Sequence, residues 1–419
     1  MLRHLLIAGF AVLFAPPAFA DAVTYKGTLG KTAIVLELSS PVEMPDTALV
    51  GRYAYLRTGI DIPLDLVSAS PGDLTLVEHR PCAEEICAAA YEAGNVPEAL
   101  RGAIWTITSI DNGATLTGTW QDGDAAPIAL SLERVGRRAV DLYDPVTIDQ
   151  LLMLPPALSD GNENLTLDNA PYAFIKSETA FIESAETRWG DVAFRYLTDP
   201  RTKFPFPRVT DLGGADLAAV NARLTSRHAL ISSNALDCAA RVYLPMGWMP
   251  DMNASEPGLG DYDSENIEVT YLSPTLMSWL ESGSTFCGGA YPNNHLDYTT
   301  IDVRTGRTLD LSQIFAGSKM GEYAWEPGPE LIAYVQAAYA ANTEADHSMD
   351  AECGMTDLIA SNLGVTFRQN DIVVFTLQGL PHAIMACGTD LHAAPIDDLR
   401  DLLRPEAAEY FPALANRKT

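Results

Sequence analysis

The chain has 419 residues, 47% of them hydrophobic and 20% charged, with 27 prolines and 30 glycines. That length allows two domains of ordinary size, and the composition excludes collagen-like, coiled-coil and disordered classes, each of which needs a stronger bias. Its 55 acidic residues outnumber the 27 basic ones, for a formal charge of −28; such a polyanion repels phosphate backbones, so no nucleic-acid partner is expected.

Residues 1–20 read as a secretory signal peptide. Arg3 and His4 precede an apolar run from Leu5 to Ala15, and Ala18-Phe19-Ala20 supplies a small-residue cleavage site before Asp21. Pro16 and Pro17 stop the run short of the roughly 20 apolar residues of a membrane span. No later stretch is long and apolar enough to cross a bilayer. The expectation is a periplasmic or secreted protein without a membrane span.

Export makes the six cysteines, Cys82, Cys87, Cys238, Cys287, Cys353 and Cys387, candidates for disulfides. Pairing sequence neighbours gives Cys82–Cys87, Cys238–Cys287 and Cys353–Cys387, one connectivity among several. A zinc site would want C-x-x-C or a histidine at ligand spacing, and neither is present. Asp160, Asn162, Asn164, Thr166 and Asp168 alternate like a calcium loop, but Leu165 stands where the turn glycine belongs and Pro171 where the bidentate glutamate belongs. No metal or cofactor is expected.

From residue 21 to 140 the chain reads as short strands. Ala33–Leu38, Gly51–Leu56, Leu74–Glu78, Trp105–Thr108, Leu116–Trp120 and Ile128–Leu132 are apolar or alternating, with Tyr53 and Tyr55 on one face. Asp111-Asn112-Gly113 is a hairpin signal. An antiparallel meander curling into a small barrel or sandwich is expected, with one helix around Ala88–Ala93. The prolines and turn residues of 141–170 read as a linker.

The segment 171–408 reads as an α+β domain, with helices packed on an antiparallel sheet. Ala173–Ile175 and Val192–Tyr196 look like strands. Leu217, Val220, Leu224 and Ile231 form one apolar stripe on a helix after Asp216, with His228 beside it as a half-buried residue. Ile267–Leu272, Leu276–Trp279 and Thr299–Val303 are strands, and Arg304-Thr305-Gly306 turns the last of them towards Thr308–Leu311. A helix starts at Pro329 and places Leu331, Val335 and Ala338 inward. Val365–Phe367 and Ile372–Leu377 form a hairpin about Gln369-Asn370-Asp371, and Ile396–Leu403 a short terminal helix.

The most distinctive run is Cys287-Gly288-Gly289-Ala290-Tyr291-Pro292-Asn293-Asn294-His295, followed by Ile301-Asp302-Val303-Arg304-Thr305-Gly306 and Leu309-Asp310-Leu311-Ser312-Gln313-Ile314-Phe315. Here the chain resembles the extracytoplasmic domain of the anti-sigma-V factor, shared by exported bacterial proteins of unknown function. That pattern reads G-G-A-H-P, then F-D-x-x-T-G, then L-x-L-x-D-x-F, and the resemblance extends over about residues 170–405. Tyr291 stands where the family has its histidine. The resemblance implies a non-enzymatic recognition domain, lysozyme-sensing in the anti-sigma-V factor itself. It makes Tyr291, Pro292, Asn293, Asn294 and His295 the candidate ligand-binding residues. The same glycines and Pro292-Asn293-Asn294 also suit a plain turn.

Catalytic patterns are missing: there is no G-x-S-x-G, S-x-x-K or H-E-x-x-H, and His347, His382 and His392 have no partner pattern. No catalytic residue is nominated. The expected function is non-enzymatic binding in the cell envelope, with a cationic protein such as lysozyme as partner. The alternative is a glycan hydrolase using an acidic pair that the sequence does not single out.

Overall fold

The computed structural model describes residues 20–40, 50–81, 89, 92–93, 100–140, 166–243, 265–285, 293–322, 324–343 and 347–415. The signal-peptide reading, almost all of the 141–170 linker, half of the helix expected at 88–93, and Cys82, Cys87, Cys287, Tyr291 and Pro292 lie outside these residues. The fold is α+β and mostly antiparallel strands.

Eight strands form the N-terminal part: β1 (Ala20–Leu29), β2 (Thr32–Ser40), β3 (Val50–Tyr55), β4 (Asp61–Ser70), β5 (Asp73–Arg80), β6 (Leu100–Ile110), β7 (Thr115–Gln121) and β8 (Ile128–Val140). Each pairs with the next, and β1 also pairs with β8, which closes the barrel. Alternation then dictates what fills it. Leu36, Tyr53, Leu64, Leu76, Trp105, Ile107 and Leu132 point inward and are buried. Closure needs a close approach at Gly118, where a Cβ would lie 1.9 Å from the Thr106 carbonyl oxygen. The hairpin at 111–113 is as expected, with positive φ at Asp111, Asn112 and Gly113. β1 and β4 are not apparent from the sequence pattern.

Ala173–Ile175 is not a strand but the middle of helix α1 (Pro171–Ser177), whose proline sits in the first turn. Its Tyr172 and Ile175 cover Val35 and Ala54 on the outer barrel wall. The apolar triplet was ambiguous between strand and helix, and docking on the barrel decides it.

Next come β9 (Ile182–Glu183), β10 (Thr187–Trp189), β11 (Val192–Thr198) and β12 (Pro205–Leu212), forming a sheet of order β10-β11-β12 with β9 on β11. Helix α2 (Ala218–Ala240) is longer than its stripe suggested, and the Asp216 carboxylate accepts from the Ala218 amide at its start. β13 (Asn266–Leu272), β14 (Leu276–Thr285), β15 (Asn293–Asp302) and β16 (Arg307–Thr308) make the central sheet in sequence order. Asn293 and Asn294 therefore belong to a strand rather than a turn, pairing with Thr285 and Ser284. Thr308–Leu311 does not continue as a strand: a 3-10 turn begins at Leu311, capped by Asp310.

The central sheet has a core on each face. Ile267, Val269 and Trp279 face α2 and β11–β12. A bulge after Val269 then reverses the alternation, so Leu272 joins that core while Tyr271 faces the other way. The minor pair β17 (Lys319–Met320) and β18 (Trp325–Glu326) leads to helix α3 (Pro329–Ala341). Its buried stripe is Leu331, Val335 and Tyr339, with Tyr339 taking the place expected for Ala338. Helices α4 (Asp350–Cys353) and α5 (Met355–Asn362) precede β19 (Leu363–Arg368), β20 (Ile372–Leu377) and β21 (Asp390–Pro395), which form the last sheet. The terminal helix is 3-10 over Ile396–Leu402.

Cys353 and Cys387 are joined by a disulfide, with Cα atoms 5.8 Å apart. Cys238 is also disulfide-bonded. Among the described residues no helix is long and apolar enough to cross a membrane.

Candidate functional site

The candidate site grows from the register of the central sheet. Gly283 of β14 lies opposite His295 of β15, and Ser282 lies opposite Asn266 of β13. Continuing that register by one residue puts Glu265 on the far side of Gly283. Glycine carries no side chain, so the two flanking side chains meet across it. The His295 Nε2 is 3.0 Å from a Glu265 carboxylate oxygen.

Two residue pairs further along, on the same face, Glu281 of β14 faces Asp297 of β15. Directly opposite carboxylates repel, and two features manage that repulsion. Arg227 of α2 forks onto Glu281, its Nε 2.9 Å from Oε1 and its Nη2 2.5 Å from Oε2. The Trp279 indole donates to Glu281 Oε1 at 2.7 Å. Glu281 is thereby fixed and only 2% exposed. Asp297 is on the solvent side, yet its carboxyl pKa is raised: burial of the carboxylate is the main cause, and Glu281 adds to it against the opposing pull of His295 and Arg227.

Asn294, His295, Leu296 and Asp297 form one wall of a cavity of about 120 Å³. The other wall is Leu377, Gly379, Leu380, Met385 and Gly388, from the end of β20 and the 3-10 turn that follows it. Cys387 adjoins that wall and ties it to α4 through the disulfide. So the structure brings Asn294 and His295 into one pocket. Asn293 starts the same strand, while Tyr291 and Pro292 fall outside the described residues.

The sequence reading missed Glu265, Glu281, Arg227 and the wall at 377–388. One signal was available: Glu281 interrupts the apolar face that Trp279 begins, and a carboxylate at an inward position needs a cation. The partner on α2 is non-local and carries no such signal.

The remaining histidines do not gather. His347 bridges Asp350 and the Asn342 carbonyl, and His392 meets the Tyr334 hydroxyl. His228 is fully buried rather than half-buried, between Phe181 and Phe206. Burial and the adjacent Arg208 push its pKa down to about 4. It is a core residue. Among the described residues no three His, Cys, Asp or Glu side chains are grouped to hold a metal ion.

No protein-family model and no curated protein sequence matches the chain.

Proposed function

We propose that the protein is a non-enzymatic binding protein of the cell envelope, engaging a cationic protein such as lysozyme at the pocket beside β15. The observation that carries this reading is the Asp297 carboxylate, which lines the pocket next to the residues nominated from sequence. Arg227 forms its ion pair with Glu281, and its weaker pull on Asp297 is outweighed by burial. The excess of acidic residues over the whole chain would add long-range attraction, screened over about 8 Å at physiological salt. A glycan hydrolase is disfavoured at this place. The second carboxylate beside Asp297 would be Glu265 or Glu281, and both are nearly buried and already paired, Glu265 with His295 and Glu281 with Arg227 and the Trp279 indole.

Calorimetry of a basic lysozyme against the protein tests the reading. Binding should appear at low salt, weaken as salt rises, and weaken in Asp297→Asn and in Tyr291→Ala. No heat of binding at low salt would remove lysozyme as a partner; binding untouched by both substitutions would move the surface elsewhere.

A further inference from the structure

A second carboxylate, at one end of the barrel, has a different setting. Glu78 sits near the end of β5 and is half-buried, at the same end as the turns β1–β2, β3–β4 and β7–β8. Three uncharged groups from inside the barrel donate to one of its oxygens, Oε2: the Tyr53 hydroxyl at 2.8 Å, the Trp120 indole at 2.9 Å and the Trp105 indole at 3.2 Å. Among the described residues no cation pairs with Glu78 and nothing donates to its Oε1.

Aromatic rings surround it. Tyr53 meets Trp105 edge-on at 4.7 Å and Tyr55 at 5.5 Å between centroids. Tyr243 arrives from the 3-10 turn after α2, where His79 Nδ1 holds its carbonyl at 3.2 Å. Tyr55, Trp120 and Tyr243 are half-buried and so reach solvent. Burial foremost, then the charge on Glu78, raises the pKa of Tyr53 and Tyr243; in Tyr55 the same two causes prevail over the bond from Tyr53. These hydroxyls stay protonated and remain donors. The rim already holds one cation on an aromatic face, the Arg57 guanidinium 5.8 Å from the Tyr55 ring centroid.

The negative charge of Glu78 is not needed for its three bonds. A glutamine amide oxygen would accept the same donors without the cost of desolvating an ion. What the carboxylate adds is a full charge, a second oxygen with free lone pairs, and a setting of π-faces that attract cations. We propose that this end of the barrel is a binding site for a primary ammonium ion, which donates to Glu78 Oε1 while its alkyl chain lies against Tyr55 and Trp120. Barrel mouths are frequent places for small ligands. A quaternary ammonium fits less well, because it has no N–H for Oε1.

The test is calorimetry of the full chain in 150 mM salt, about physiological, with n-butylammonium, tetramethylammonium and n-butanol as probes. Expected are saturable binding of n-butylammonium, weaker binding of tetramethylammonium, and no binding of n-butanol. Glu78→Gln should weaken n-butylammonium by at least about tenfold, the loss of a charge-assisted contact. No saturable binding, or equal affinity in a folded Glu78→Gln, would overturn the proposal. If Glu78→Gln does not fold, Tyr55→Leu replaces it: about threefold weakening supports the site, and unchanged affinity overturns it. Nα-acetyl-lysine amide as a fourth probe separates the two sources of this chemistry. Binding as tight as n-butylammonium assigns the site to a lysine side chain, and rejection of the lysine derivative assigns it to a free amine.

Discussion

Two clusters of charge, one on the barrel flank and one at β15, are built from the same residue types and end in opposite states. On the flank, Glu37 accepts from both Arg52 and Arg138, and Asp61 from Arg52, Lys176 and the Tyr172 hydroxyl. Lys176 reaches on to Asp237. Three carboxylates therefore meet three cations, and Glu37 and Asp61 are completely buried. Burial of Glu37 is outweighed by Arg52 and Arg138, so its pKa is lowered. At β15, three carboxylates share Arg227 and His295, and one of them faces solvent with a raised pKa. The comparison teaches what each cluster can do. In the flank network Glu37 and Asp61 are buried with donors on both oxygens, while Asp237 at its edge has its pKa raised by burial; the network docks α1 and α2 on the barrel. The β15 cluster retains, at Asp297, an exposed carboxylate that meets no donor among the described residues and lies beside a cavity.

The most severe way to break the comparison is Arg52→Met. Arg52 joins Glu37 to Asp61 and lies over the Tyr172 ring, 4.2 Å from its centroid. Removing it strands buried carboxylates, which costs about 3–5 kcal/mol. Urea denaturation should show that loss. A loss below about 1 kcal/mol would mean that the network does not hold α1 to the barrel.

Arg227→Met is the matching change at β15 and should cost less, about 1–3 kcal/mol. The Arg227 side chain is 30% exposed, so water can reach the Glu281 carboxylate it leaves, and the Trp279 indole still donates to that carboxylate. The same denaturation measurement checks it. A cost equal to that of Arg52→Met would erase the distinction between a closed and an open cluster.

Local chemistry explains which parts were legible in the sequence. Alternation exposed six of the eight barrel strands, the Asp-Asn-Gly turn its hairpin, and the 217–231 stripe the helix that carries Arg227. Those signals live within a few residues. Ala173–Ile175 was misread because a three-residue apolar run has no period, and its helix is selected by Val35 and Ala54 far back in the chain. The pocket was legible only along β15, where Asn294 and His295 were nominated. Glu265 and Arg227 join them through the register across Gly283 and the packing of α2, both long-range outcomes. Glu78 was invisible for the same reason: its three donors come from β3, β6 and β7.

The smallest effect is the most specific to the open cluster. Because the folded-state pKa of Asp297 is raised, the folded chain holds that proton more tightly than the unfolded chain does. Its contribution is therefore most favourable at low pH and declines as pH rises from the unfolded value through the folded one. At neutral pH the ionised carboxylate is a liability. Asp297→Asn removes the titration, so the variant should be slightly more stable than wild type at pH 7, by under about 1 kcal/mol after discounting for solvent screening. The two should converge near about pH 3, below the usual aspartate pKa. Thermal melts of both proteins between those limits measure the difference. A wild type that gains on the variant as pH rises would show that Asp297 is held by a cation, and would make the β15 cluster a closed network like that on the barrel flank. A variant that is more stable yet binds lysozyme less well would separate the two roles of this residue. The charge that costs stability would then be the one that meets the partner.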